Sequence, residues 1–590
     1  MIRRLCGCAL AVALTVAGIS GTSAAPDDAV VFTGSGWGEG IGLSQYGARA
    51  MADSGSPATT ILGHYFTGAT VRDLSLLFIG SDFNVDETQV HVGLLQDQNE
   101  VTFEIEDGMA DLCFDSTGEC AATVVAGEKW RFGTVGDGVC AFSRQAGLGS
   151  WTGGFVTFPP SGSCSASVRP VDDPAIIRVP IKGRSYKSGI LHFRETPNSA
   201  GFHLVLQLGI DDYVRGIQEM PDSWPGAALE AQAIVSRTLA VRAVLDNGSA
   251  DQFDEERLEF CACHIPDNSP DQVYGGYTAE QGRPFWQGRV GATSGKVLTF
   301  GNEVIVAKFS SSTGGRTESI EAAGGEHLPY LVSVDDSASL TSVADNPFSG
   351  WTRAVGRDDL ASTFGFRWLS NAQVVSRNDS GSAATVELDG IVAGQQATLT
   401  LAGSEVRDRL GLYSSYFDIT LPAPFVDALS DHPFAGEILA LADLGITTGC
   451  TVVNFCPDQG VTREEMAAFL VRALDLDLST GTDSFDDDDG SVFEAEIETL
   501  YANGVTSGCT ATAYCPSDTV TREQMAAFIV RAVELEAPAV SAYPFDDTGG
   551  TQFEAEIETL YANGVTSGCT ATSYCPSGRV TRGEMAAFLI

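Results

Sequence analysis

The stretch YVRGIQEMPDSWPGAALEAQAIVSRTLAVRAV, Tyr213 to Val244, joins a turn, Glu219-Met-Pro, to an Ala-rich segment of about five helical turns. Pro225 suits a first helical turn, and Asp222 or Ser223 is placed to accept from the free amides there. Ala227, Ala228, Ala231, Ala233, Ala240 and Ala243 combine high helix propensity with short side chains, which fits close packing against a sheet. The helix is expected to stop at Asp246-Asn247-Gly248. One carboxylate, Glu219, is thereby held just ahead of a rigid helix.

These residues resemble the stage II sporulation protein D / LytB family, whose glutamate before Met-Pro is taken as the catalytic residue of peptidoglycan lytic transglycosylases. Carried over, that residue is Glu219. YKSGILHF before the block and QVYGG, ATSGKVLTF and FSSSTGGRTES after it match as well, so the resemblance runs with gaps from about Val30 to Phe417.

The chemistry fits a single acid. Most glycosidases need two carboxylates, one to protonate the leaving oxygen and one to act as nucleophile or to activate water. A lytic transglycosylase manages with one, because the 6-hydroxyl of N-acetylmuramic acid attacks its own anomeric carbon and gives a 1,6-anhydro product. That carboxyl must begin protonated, so its pKa is expected to be raised, with Met220, Pro221 and Trp224 as desolvating neighbours.

The surrounding chain places this chemistry outside the cell. Lys+Arg 34 against Asp+Glu 77 gives a net charge of -43 over 590 residues, which argues against nucleic acid and anionic membrane as partners. Arg3-Arg4, an apolar run from Ala9 to Ile19 and Thr22 to Ala25 read as a secretory signal over residues 1–25, and no later stretch reads as a transmembrane segment. Of the 14 Cys, Cys6 and Cys8 fall in that leader and twelve remain. Cys450/Cys456, Cys509/Cys515 and Cys569/Cys575 repeat one spacing and read as disulfides; Cys113/Cys120 and Cys140/Cys164 pair by nearness.

Residues 26–68 carry VFTGSGWGEGIGLSQYGARAMADSG, whose glycines would let the backbone approach a ligand closely, with Trp37 and Tyr46 as stacking surfaces for sugar rings. The family carries Gly-Trp-Gly-His-Gly-x-Gly-Met-Ser-Gln-x-Gly-Ala, in many members at the end of the catalytic domain rather than at the start of the chain, which implies that Trp37, Glu39, Ser44, Gln45 and Tyr46 belong to the substrate site, with Glu39 in place of the family's His. The segment is expected to fold back onto the Glu219 region. Residues 69–170 alternate in short runs and read as a β-rich module, and 171–420 as the catalytic domain.

Within that domain the resemblance implies substrate contacts at Gln272 and Tyr274 and at the hydroxyl-rich loop Ser311, Ser312, Thr313 and Arg316, which follows a hairpin turning at Gly301-Asn302. Cys261, Cys263 and His264 form a weak zinc candidate; their spacing differs from Cys-x-x-Cys, and two secreted cysteines one residue apart read first as a disulfide, so no cofactor is expected. No Gly-x-Ser-x-Gly element supports a serine hydrolase.

After Leu421-Pro-Ala-Pro424 the chain repeats with a period of about 60 residues, at 421–484, 485–544 and 545–590. Thr462/Glu465, Thr521/Gln524 and Thr581/Glu584 are capping boxes, each opening a helix after a disulfide-pinned loop. The units resemble the S-layer homology domain, which implies that Arg463, Arg522 and Arg582 bind an anionic secondary cell-wall polymer. The third unit stops at Ile590 in mid-helix, which reads either as a truncated chain or as an incomplete third prong, and Asp486 to Asp489 reads as a solvated turn without the spacing of a calcium hand.

The expected architecture is an α+β catalytic body with a β-rich insert, followed by an all-α three-repeat S-layer homology assembly. The expected function is cleavage of peptidoglycan glycan strands by a secreted protein held at the cell wall. The alternative is a non-enzymatic glycan-binding enhancer of a wall amidase, kept open by Glu39.

Overall fold

The computed structural model describes residues 29–590 apart from 78–88, 116–117, 135–139, 147–149, 152–155, 158–163, 172–174, 200, 268–271, 393–394, 422–424, 426, 429–431, 452–453, 480–482 and 537–542. The expected leader, 1–25, and most of the linker after Leu421 lie outside the described residues.

Two seven-stranded sheets face each other. One runs Ile265–Pro266, Gln89–Gln98, Phe202–Gly209, Ile190–Glu195, Ala166–Pro170, Met109–Phe114, Cys120–Val125; the other is built on Glu100–Asp107, Lys129–Thr134 and Cys140–Ala146. Phe103, Phe132 and Phe142 of the second meet Phe193 and Phe202 of the first, with Phe132 4.4 Å from Phe193 and 5.0 Å from Phe202 between ring centres. Such ring pairs add about 0.5–1.5 kcal/mol each beyond the area they bury. Strands of the 69–170 stretch and of the 171–420 stretch thus share one sheet: Gln89–Gln98 pairs antiparallel with Phe202–Gly209.

The helix Gly226–Asn247 ends where the sequence places its stop. Its start differs, since Pro225 is the N-cap and no side chain caps it. Asp222 accepts instead from the backbone of Trp286 at 2.6 Å, at the start of the helix Pro284–Ala292. The helix packs on helices Gln45–Asp53, Ala58–Tyr65, Ile210–Arg215 and Pro284–Ala292 as well as on the strand Lys296–Phe300, so its small alanines serve helix packing more than sheet packing. Arg237 lies buried in its middle and is neutralised by Asp211 at 2.6 Å while donating to the carbonyls of Val290 and Lys296. A separate core joins the opening strand Val30–Gly34 to Trp351–Val355 and Phe417–Thr420.

The expected fold class needs correction, because the chain is mixed α/β with six sheets among the described residues and the repeats are not an all-α assembly. Extended backbone joins the three units through antiparallel bridges, Gly460 with Thr581, Thr462 with Thr519 and Thr521 with Arg579. Before each capped helix the chain is extended, and its free amides and carbonyls are satisfied by the neighbouring repeat rather than by helix. All three capping boxes are formed. The second helix of each unit packs on the first helix of the next, and Arg582–Leu589 packs on Ala435–Asp443, so the units close into a ring. The third unit's last helix has 8 residues where the others have 11. Every disulfide expected from spacing is present, and Cys261–Cys263 makes a sixth.

Candidate active site

The buried strand Phe202–Gly209 runs into the short helix Ile210–Arg215, after which Ile217 and Met220 anchor the chain in the core on either side of Glu219. Ile217 pairs with Tyr274 as an antiparallel bridge, which lays Val273 beside Glu219, and the Val273 N–H donates to Glu219 Oε1 at 2.7 Å. Arg283 grips the same turn from outside, donating to the Ile217 carbonyl at 2.6 Å and the Met220 carbonyl at 2.5 Å.

The glycine-rich segment reaches this place from the far end of the sequence. Trp37 and Ser312 exchange backbone hydrogen bonds, Gly40 N–H donates to Ser310 Oγ at 2.9 Å, and Leu43–Ser44 pairs in parallel with Phe309–Ser310. Gly42 shows why the segment needs glycine: its φ is +72°, and a Cβ there would lie 2.1 Å from the Lys308 carbonyl oxygen. A cavity of about 500 Å³ results, with Glu219 and Gln45 on one side, Trp37 and Glu39 on another, and Lys308 and Ser311 along its wall. A second cavity of about 230 Å³ shares Gly38, Glu39 and Arg407 with it, so the two adjoin at these residues.

Burial raises the Glu219 carboxyl above its ordinary range, opposed in part by the Val273 N–H and the Gln45 side chain, both of which favour the carboxylate. Met220 is buried next to it, whereas Pro221 is exposed and Trp224 packs instead on Tyr46 at 5.0 Å and under Arg49. Glu39 faces Lys308 at 3.4 Å.

The structure sorts the expected site residues into two groups. Trp37, Glu39, Gln45 and Ser311 line the cavity with Glu219, and Trp37 is 47% exposed, with one ring edge on Phe348. The others support it from behind or lie to one side. Ser44 is buried and caps the helix Gln45–Asp53, accepting from Gly47 N–H. Ser312 accepts from Asn346, and Thr313 donates to the buried Asp336, which also takes the Tyr65 hydroxyl. Tyr46 lines a different hollow, and Arg316 lies in the smaller cavity. Gln272 and Tyr274 are buried: Gln272 donates to the Tyr213 hydroxyl at 2.8 Å, and Tyr274 stacks between Tyr186 and Tyr213. Their side chains fix the position of Val273 and do not face the cavity.

Leu239, Phe309 and Ser310, which lie inside stretches quoted above without being assigned to the site, also line the cavity, together with Lys308 and Arg407. Lys308 adjoins one of those stretches, and Arg407 carried no local signal. The zinc candidate has no free ligands, since Cys261 and Cys263 are joined. Both ring nitrogens of His264 are engaged, Nδ1 accepting from His91 N–H and Nε2 donating to the Gly248 carbonyl.

In the repeats, Arg463, Arg522 and Arg582 are buried, and each Nε donates to a carbonyl of the next unit: Tyr514, Tyr574 and, closing the ring, Phe455. Arg582 also meets Glu465 at 2.7 Å and Arg522 meets Glu584 at 3.6 Å. The corresponding residue for Arg463 is Gln524, and Arg463 Nη2 is buried without a hydrogen-bond partner.

Residues 198–300 match the family described as Stage II sporulation protein, and 424–467, 484–526 and 544–586 match the S-layer homology domain. The chain is 29% identical to the stage II sporulation protein D of Bacillus subtilis strain 168 over 36% of its own length and 61% of that protein's. It is 27% identical to the amidase enhancer of the same organism, over 33% of this chain and 24% of that one. A surface-layer 125 kDa protein of Lysinibacillus sphaericus is 28% identical over 25% of this chain and 13% of its own.

Proposed function

We propose, for a chain that carries a Stage II sporulation protein domain joined to three S-layer homology domains, a surface-associated peptidoglycan lytic transglycosylase. The observation that carries the reading is the Glu219 carboxyl, desolvated, clamped by the Val273 N–H and lining a cavity of about 500 Å³ that adjoins a second one. Glu219 begins protonated and gives its proton to the glycosidic oxygen as the C1–O bond breaks. The muramic 6-hydroxyl then bonds to C1 and returns its proton to Glu219, so the acid is regenerated and no water is consumed. Trp37 offers a face for a sugar ring beside it. The repeats hold the protein at the wall through an anionic polymer, and Arg463, whose Nη2 is unpartnered but buried, is the cationic group such a polymer would have to reach.

A second reading, a glycan-binding enhancer of a wall amidase, is favoured by the Glu39–Lys308 pair standing where the family has His, and by the similarity to the amidase enhancer. Incubation of purified glycan strands followed by mass spectrometry separates the two. Glu219→Gln should abolish 1,6-anhydro-muramic ends while strand binding is kept; binding by the wild type without new ends supports the enhancer.

A further inference from the structure

Each repeat opens on a Phe followed two residues later by an Asp with one task. Asp427, Asp487 and Asp547 each accept two backbone N–H groups of their own disulfide loop, at 2.7–2.8 Å. The next position differs among the repeats: Ala428, Asp488 and Thr548, all buried. In the first repeat the site is apolar. In the third, Thr548 donates to the Tyr543 hydroxyl at 3.0 Å, which in turn donates to Glu554. In the middle repeat Asp488 is 1% exposed and neither carboxylate oxygen has a hydrogen-bond partner. The expected solvated turn at Asp486 to Asp489 is thus wrong for Asp488.

Two more carboxylates face it. Glu498, 5% exposed, accepts from Ser484 N–H through Oε1 and leaves Oε2 unpartnered. Asp483 approaches from the solvent side, and oxygens of the three lie within 4.8 Å of one another, the one such group among the described residues. Buried carboxylates without donors, beside like charges, are costly unless a cation joins them. Three convergent carboxylates with no His or Cys among them suit a hard divalent ion, and one side open to solvent leaves room for water ligands. The third repeat shows the contrast: where Tyr543 and Thr548 replace Asp483 and Asp488, the position satisfies itself.

We propose that Asp483, Asp488 and Glu498 form a calcium site in the middle repeat, tying the turn after Phe485 to the helix Glu494–Ala502. The test is calorimetric titration of the chelator-stripped full-length protein with calcium chloride, alongside its thermal unfolding. One site per chain is expected, with a Kd in the range of extracellular modules, roughly 10⁻⁴–10⁻³ M, and a higher Tm in calcium. Asp488→Asn with Glu498→Gln should abolish both, while Asp489→Asn, at an exposed neighbour, should keep both. Because removing the buried charges also relieves their repulsion, the double variant should melt no lower than the calcium-free wild type, which controls for misfolding. An identical isotherm in wild type and double variant, or none in the wild type, overturns the proposal.

Discussion

The Val273 N–H lies 2.7 Å from Glu219 Oε1, and this bond holds the acid of the cavity in place while working against its protonation. Burial wins that contest, so the carboxyl titrates above its ordinary range. Activity that needs the protonated form must fall as pH rises through the raised value. Removing a group that favours the carboxylate moves the limb further up, so Gln45→Leu should extend anhydro-product formation to higher pH, read from the pH profile of kcat/KM. An unshifted limb in a folded variant assigns the titration to another group.

The same shift affects stability. A carboxyl whose pKa is higher in the folded than in the unfolded chain binds its proton more tightly when folded, so its contribution is fully present at low pH. That contribution is lost as pH rises through the folded value. Glu219→Gln keeps an acceptor for the Val273 N–H and removes the buried charge, so its Tm should exceed the wild type's near neutral pH. The gap should close on acidification below the ordinary carboxylate range. Thermal melts of both proteins across pH decide it, and a constant gap counts against a raised pKa.

Gly42 supports the cavity by backbone alone. With φ at +72° and the Lys308 carbonyl where its Cβ would go, Gly42→Ala should cost more than about 1–3 kcal/mol and displace Lys308 from Glu39. The expected readouts are a lower Tm and weakened strand binding. Gly55→Ala, where φ is also positive but nothing lies nearby, should show the milder backbone cost alone.

The contrast between these residues shows what was legible beforehand. Glu219's place ahead of a helix, the stop of that helix and the capping boxes are local patterns, readable because the groups that interact are within a few residues of one another. The glycine-rich opening reads as a close approach to a ligand, whereas its close approaches in the structure are to the chain itself, with Gly40 meeting Ser310 across 270 positions. The substrate role of Gln272 and Tyr274 rests on the family resemblance alone, since an amide and a ring can hold sugar or backbone, and only burial distinguishes the two uses. The ring of repeats was hidden for a related reason. Short extended segments carry no periodicity, and Arg582 finds the Phe455 carbonyl 127 residues away.

That ring supplies the last prediction. Arg582 and Arg522 each meet the capping-box glutamate of the next unit, while the equivalent position for Arg463 is Gln524, whose Oε1 already accepts from Thr521 N–H. Gln524→Glu would keep the capping role and give Arg463 the carboxylate that the other two have. A hydrogen bond to a charged group contributes about 1.5–3 kcal/mol, so the Tm should rise. If the unpartnered Nη2 of Arg463, buried in this structure, is what the wall polymer reaches, the same change must reduce pelleting with isolated walls, because the new carboxylate competes for the guanidinium. Arg463→Ala cannot make this distinction, since it also removes the bond to Tyr514 and the stacking on Tyr514 and Phe528. A more stable protein that pellets as before would place polymer binding away from Arg463.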